Sequence, residues 1–205
     1  MQKRITMVGI ITGDIINSRE AQPKKWLEAL KEVLSKYGAS PSQWEIYRGD
    51  SFQLEVPVEE ALNAAILIKA AIKQYKHIDV RLAIGIGDKT YTAESITESN
   101  GSAFINSGEC FDQMKKRTLA VKSPNESFDI QINVMIELAL LTMNHWQPIT
   151  STIVKTSFEN PDLSQKEMAG LLGKSQSNIS EGLKRAGYDE ILKMIHYYKT
   201  QIQTI

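Results

Sequence analysis

The sequence predicts an α+β protein in which a ferredoxin-like domain of the split βαβ kind precedes an all-α domain carrying a helix-turn-helix. Three observations predict it. Up to about residue 122, short apolar runs alternate with segments of helical periodicity. From residue 129 onward the pattern is helical throughout, with few glycines. Within that second part, LSQKEMAGLLGKSQSNISEGLKRAGY has the grammar of two capped helices joined at a glycine.

Taken in order, ITMVGIIT is a continuous apolar run ended by Gly13 and reads as a buried strand. Over residues 22–37, Trp26, Leu27, Leu30, Val33, Leu34 and Tyr37 recur at helical spacing. WEIY and SFQLEV read as two short strands, and RGD between them supplies the turn. Pro57 stops the second strand and suits the first turn of a helix, which carries Ala61, Leu62, Ala65, Ile66, Ile68 and Ile72. DVRLAIGIG is a further strand. Its glycines, Gly85 and Gly87, lack the third glycine and the strand-to-helix context of a dinucleotide fingerprint, and they read as a close approach to another backbone. A polar loop, DKTYTAESITESNG, leads into a helix near 102–116, and TLAVKS reads as a last strand. The first six elements form the split βαβ order. In that layout strand 1 is central, beside the strand leading into the hairpin, and its end meets the hairpin tip. SPNESF, residues 123–128, is polar, contains Pro124 and reads as a linker between domains spanning 1–122 and 129–205.

Lys plus Arg equals Asp plus Glu at 24 each, so any nucleic-acid site rests on local placement, not on overall charge. The one cysteine, Cys110, excludes a disulfide framework, fits a reducing cytoplasm and reads as a small core residue. His77, His145 and His196 are far apart in sequence and form no metal-ligand pattern. No cationic segment followed by an apolar run opens the chain. The longest apolar stretch, VMIELALLTM, is too short to span a bilayer and carries Glu137. These readings predict a cytoplasmic protein with no membrane partner.

Two short stretches carry the candidate chemistry. ITGDIINSR puts Asp14 just past a buried strand, and YRGDSF puts Asp50 in the hairpin. Two carboxylates at converging strand ends suit Mg²⁺ or Mn²⁺, with the Ile15 carbonyl as a further oxygen. Two such ions would clamp the attacking and leaving oxygens of a phosphoryl transfer. Asn17, Ser18, Arg48 and Ser51 flank the aspartates and are candidates for contacting a nucleotide or another small ligand. Asp after Gly is also common in turns, where its side chain bonds local N–H groups, so each aspartate alone has a plain structural reading.

GDIINSR, GDSFQ, RLAIGIGD and NGSAF occur in the order and spacing of the SatD family, which the chain resembles over nearly its whole length. That resemblance implies a sheet domain followed by a helix-turn-helix. The same blocks are more distantly similar to the palm-like class III nucleotide cyclases and GGDEF domains, and this implies Asp14 and Asp50 as metal ligands with Ile15 offering its carbonyl. The chain departs from the cyclase pattern. Ile105 stands at the position of the catalytic Asn, and Glu109 at that of an Arg that stabilises charge on the transferred phosphate. Ser51, Ser102 and Gly108 also differ from the usual SatD-like residues. Cyclase activity is not expected, and no catalytic residue is assigned.

In the C-terminal part, Ser164 is placed to cap one helix with Glu167 as its capping-box partner. Met168, Ala169 and Leu172 face inward, Gly173 makes the turn, Ser175 caps the next helix, and Ile179 and Leu183 anchor it. KSQSNIS resembles the start of the recognition helix of bacterial regulators, the helix that enters the major groove. Gln176, Ser177 and Asn178 would face base edges, while Lys174, Lys184 and Arg185 would hold phosphates. Against this, Glu181 lies on the same helix, and residues 150–205 are nearly balanced in charge. The flanking aromatics Trp146, Tyr197 and Tyr198 read as packing residues. The function expected is a DNA-binding transcriptional regulator with a sensing or dimerising N-terminal domain, itself a candidate homodimer. The alternatives are a metal-dependent enzyme acting on nucleotides or phosphates through Asp14 and Asp50, and a non-catalytic interaction scaffold.

Overall fold

The computed structural model describes residues 7–20 and 22–204. Among them are five strands and eight α-helices: β1 (Met7–Ile16), α1 (Pro23–Leu34), β2 (Trp44–Tyr47), β3 (Ser51–Pro57), α2 (Ala61–Ile72), β4 (Asp79–Asp88), α3 (Ser102–Gln113), β5 (Leu119–Lys122), α4 (Glu126–Met143), α5 (Pro148–Glu159), α6 (Gln165–Leu172), α7 (Gln176–Ala186) and α8 (Tyr188–Ile202). Short 3₁₀ turns occupy Val58–Glu60 and Ile96–Glu98. No helix of the described residues is long and apolar enough to cross a membrane. Residues 5 and 6 of the expected first strand lie outside the described residues.

The sheet order is β2-β3-β1-β4-β5. β1 pairs antiparallel with β3 and β4, and β5 joins β4 in parallel, so the sheet is mixed. Contrary to the expectation from the sequence, β1 does not lie beside the strand leading into the hairpin. The neighbour of β1 is β3, the strand leaving the hairpin, and β2, which leads into it, is the edge. Length explains the choice: the ten-residue apolar β1 takes seven-residue β3 and ten-residue β4 as partners, leaving four-residue β2 outside. Helix ends also move. α1 stops at Leu34 and α3 at Gln113, short of the expected 37 and 116. α4 begins at Glu126, because the Asn125 side chain accepts the Phe128 N–H at 3.0 Å and caps it. The last three residues of the expected linker are therefore its first turn.

The two faces of the sheet are covered differently. Ile11, Ile15, Phe52, Leu54, Leu82, Ile84 and Val121 point to α1 and α2. On the other face α3 lies on β4 with almost no gap: a Cβ at Gly85 would sit 2.2 Å from the Ala103 carbonyl oxygen. The glycines of β4 thus mark a close backbone approach, as expected from the sequence.

Helix α2 has eleven of its twelve positions buried. A helix that is apolar all round must be covered all round. The sheet and α1 cover one side, and α5 and α8 cover the other. One continuous cluster runs from Leu54 and Leu82 through α2 to Ile132 and Ile136 of α4, Val154 of α5, and Ile191 and Tyr198 of α8. Tyr198 is fully buried and donates to the Val58 carbonyl at 2.8 Å.

The charge in α2 that this burial encloses is Lys69. Its Nζ donates to Asp79 Oδ1 at 2.8 Å and Thr118 Oγ1 at 3.1 Å. Lys73 donates to Asp79 Oδ2 at 3.0 Å and to the Asn144 carbonyl at 2.8 Å, at the end of α4. Burial pushes the Lys69 amine down to about 8, against the pull of Asp79. Between about 8 and its unfolded value the unfolded chain holds a proton that the folded protein has released. Stability therefore gains up to about 1.4 kcal/mol per pH unit from this group as pH rises through that window. Urea unfolding from pH 7.5 to 9.5 should show a steeper rise for the wild type than for Lys69→Met, in which Asp79 keeps Lys73. Equal slopes would show that Lys69 titrates normally.

Candidate functional site: a polar row at one end of the sheet

The register assembles the site. Asp14 stands directly opposite Ser51 on β3 and Arg81 on β4, so Ser51, Asp14 and Arg81 form one row across three strands. The next row holds Gln53, Thr12 and Ala83. Opposite charges facing each other across strands attract, and here the geometry is a two-pronged fork. Arg81 Nε donates to Asp14 Oδ1 at 2.9 Å and Nη2 to Oδ2 at 2.6 Å. The guanidinium also lies 4.6 Å from the centre of the Phe111 ring of α3. Thr12 Oγ1 and Ser107 Oγ are 3.0 Å apart, and Gln53 Nε2 donates to Thr12 Oγ1 at 3.4 Å. Burial raises the Tyr47 phenol; Arg48 lowers it and Asp14 raises it by smaller amounts.

The hairpin tip is fastened to the end of β1. The Ile15 N–H donates to the Asp50 carbonyl at 3.1 Å, and the Ser18 hydroxyl donates to Asp50 Oδ2 at 2.8 Å. Arg48 and Gly49 turn the chain with φ of 54° and 87°. A Cβ at Gly49 would meet nothing within 4 Å, so glycine is favoured there by backbone conformation alone.

Asp14, Asp50, Ser18 and Ser51 thus come to one end of the sheet. Arg48 is exposed at the tip. Asn17, in a left-handed conformation, donates its side-chain amide to the His77 carbonyl at 3.2 Å. Ile105 and Glu109 are exposed on α3, and Glu109 pairs with Lys122. Among the described residues, no three His, Cys, Asp or Glu side chains are grouped to hold a metal ion. Arg81 already occupies both oxygens of Asp14 and supplies the positive charge there. The donor set as arranged does not fit Mg²⁺ or Mn²⁺ unless Arg81 is displaced. Sequence reasoning missed Arg81, Phe111, Thr12, Gln53 and Ser107. The alternation in DVRLAIGIG was the available signal for Arg81, since it puts that residue on the small-residue face with Ala83, Gly85 and Gly87.

In the helical half, the Glu167 N–H donates to Ser164 Oγ at 3.3 Å and the Ser164 N–H to Glu167 Oε2 at 2.8 Å, a complete capping box. Gly173, at φ 61°, ends α6, and the Lys174 N–H donates to the Ala169 carbonyl at 2.9 Å. Ser175 Oγ accepts the Asn178 N–H at 3.1 Å at the start of α7, and its hydroxyl donates to Asn178 Oδ1. Met168, Ala169 and Ile179 pack with Ile153 of α5, with Leu172 and Leu183 beside them. α7 crosses α5 at Gly182, where a Cβ would lie 2.4 Å from Ile153 Cδ1. Gln176, Ser177, Asn178, Lys184 and Arg185 are exposed, and Lys174 is half-buried. Glu181 and Arg185 approach at 4.0 Å, both exposed, a contact of little energetic weight. Trp146 is buried and donates to the Ala186 carbonyl at 3.1 Å. Cys110 is buried, and burial pushes its thiol up to about 11, which leaves it unreactive at neutral pH.

These features define an α+β protein with a five-stranded mixed sheet, a polar row at one sheet end and a helical half sharing its core. The chain belongs to the SatD family, whose model matches residues 5–202. A search of curated proteins found no match. The Arg81–Asp14 fork leads to a direct test. Arg81→Ala should cost about 1 kcal/mol of stability. By freeing the carboxylate, it should tighten Mn²⁺ binding, read by water-proton relaxation, at least about tenfold. Unchanged Mn²⁺ affinity would show that Arg81 does not govern access to Asp14.

Proposed function

We propose that this protein is a cytoplasmic DNA-binding transcriptional regulator whose sheet half senses a ligand or supports dimerisation. The observation that carries this reading is α7. Ile179, Gly182 and Ala186 are buried, while Gln176, Ser177 and Asn178 at its start and Lys184 and Arg185 at its end are exposed. That arrangement, with the glycine turn before it, supports the helix-turn-helix reading, in which the second helix enters the major groove. Gln176 and Asn178 carry the side-chain amides that can read adenine, and the cations are placed to meet phosphates. The β2-β3-β1-β4 order with α1 and α2 on one face supports the ferredoxin-like, cyclase-related reading of residues 1–122, with residues 129–205 as the helical unit. Ser18, Ser51 and Arg48 beside the Asp14–Asp50 end remain the nucleotide-contact candidates.

The second reading is a divalent-metal-dependent enzyme acting on nucleotides or phosphates. It is favoured by the convergence of Asp14 and Asp50 and opposed by the Arg81 fork. A non-catalytic scaffold is the third reading.

Selection from random duplex DNA at low salt, followed by anisotropy titration, tests the first reading. Asn178→Ala should relax sequence preference. Lys184→Ala should weaken all sequences similarly and lower the salt slope by about 1. No enrichment and no binding above background would refute DNA binding.

A further inference from the structure

Helices at a protein surface turn polar residues outward. α4 does the reverse along one stripe: Ile130, Val134, Leu138 and Leu141 are 62%, 54%, 64% and 71% exposed. At 100° per residue they fall within about 80° of the helix surface. Alongside runs an apolar groove of about 500 Å³ between α4 and α8, lined by Met135, Leu138, Ala139, Ile191, Met194 and Tyr197. Ile149 of α5, which lines a neighbouring hollow with Leu141, adds one more exposed apolar side chain. Five such side chains amount to roughly 500 Å² of apolar surface, in the upper range for the largest patch on a monomer and, with the groove beside them, a large part of the ~800 Å² each partner gives a standard interface.

From this surface we infer that the α4–α8 face joins two copies of this chain in a symmetric homodimer. The stripe is self-complementary. Its positions are nearly symmetric about residue 136, so two antiparallel α4 helices related by a two-fold axis would set Ile130 against Leu141 of the partner subunit and Val134 against Leu138 of the partner subunit. A two-fold contact requires this kind of match, one patch meeting itself. The rim is matched too. Glu137 is already neutralised by Arg117 of its own chain at 3.0 Å, and α8 offers both Glu190 and Lys193 beside the groove. A membrane surface fits less well, because Glu126, Asp129 and Glu137 on the same helix would repel anionic headgroups. The inference rests on this apolar face and not on the DNA reading.

Sedimentation equilibrium of the full chain tests it. The wild type should have twice the 23.0 kDa chain mass. Leu138→Glu and Leu141→Glu should each weaken association by about 100-fold or more, with unchanged circular dichroism, because each buries an unpaired carboxylate. Because Cys110 is buried, Leu138→Cys would provide one accessible thiol, and a short bis-maleimide should then yield a covalent dimer on a denaturing gel. A monomeric wild type, a dimer unaffected by both Glu variants, absence of the cross-link, or a monomer that sediments with anionic vesicles would each overturn the inference. A dimer that ignores DNA removes only the DNA reading, and a monomer that binds DNA removes only this one.

Discussion

Helix α2 has no polar face, and the rest of the structure is arranged around that constraint. ALNAAILIKAAI cannot lie on a sheet with its outer side in water without exposing a row of Ala, Leu and Ile. The C-terminal half supplies the cover. α5 is built for two contacts at once: Val154 joins the core around α2, and Ile153 joins the core of α6 and α7. The sheet, α2, α5 and α7 are therefore one chain of packed side chains. Lys69 and Lys73, sharing Asp79, tie the same junction with directional bonds, from β4 to the end of α4. Such continuity is the physical route by which a change at the sheet end could reach the exposed face of α7; an energetic coupling also needs two alternative arrangements along it.

Register is what makes the polar row. A slip of one residue between β1 and β4 would send Asp14 into the apolar layer and Ile15 out of it. With the observed pairing, Asp14 meets Arg81, and the positive charge that a metal ion would bring is supplied by a side chain. The row brings carboxylate, guanidinium, hydroxyl and amide groups together at one end of the sheet.

Much of this was legible in the sequence because it depends on local rules. Ser164, Glu167, Gly173 and Ser175 each act within one turn of themselves, so the break between α6 and α7 can be read directly. The close approach at Gly85 and Gly87 was legible from the glycines alone. Partner choice was harder. The sequence does not say that β3 and not β2 lies beside β1, because that depends on competition among strand lengths for a central place. Arg81 was visible as a charge on a small-residue face, but its bond to Asp14 depends on a register set by strands 67 residues apart. The same holds for Asn17, whose amide is taken by a carbonyl 60 residues away. Two signals in the helices were present but unused. The apolar circumference of α2 announces a second covering layer, and Ile130, Val134, Leu138 and Leu141 announce a face in search of a partner.

The central claim is that sheet and helices fold as one body around α2. Differential scanning calorimetry of the full chain tests it most directly. A shared core predicts one transition with a calorimetric to van't Hoff enthalpy ratio of about 1. Two resolved transitions, one for the sheet half and one for the helical half, would contradict it.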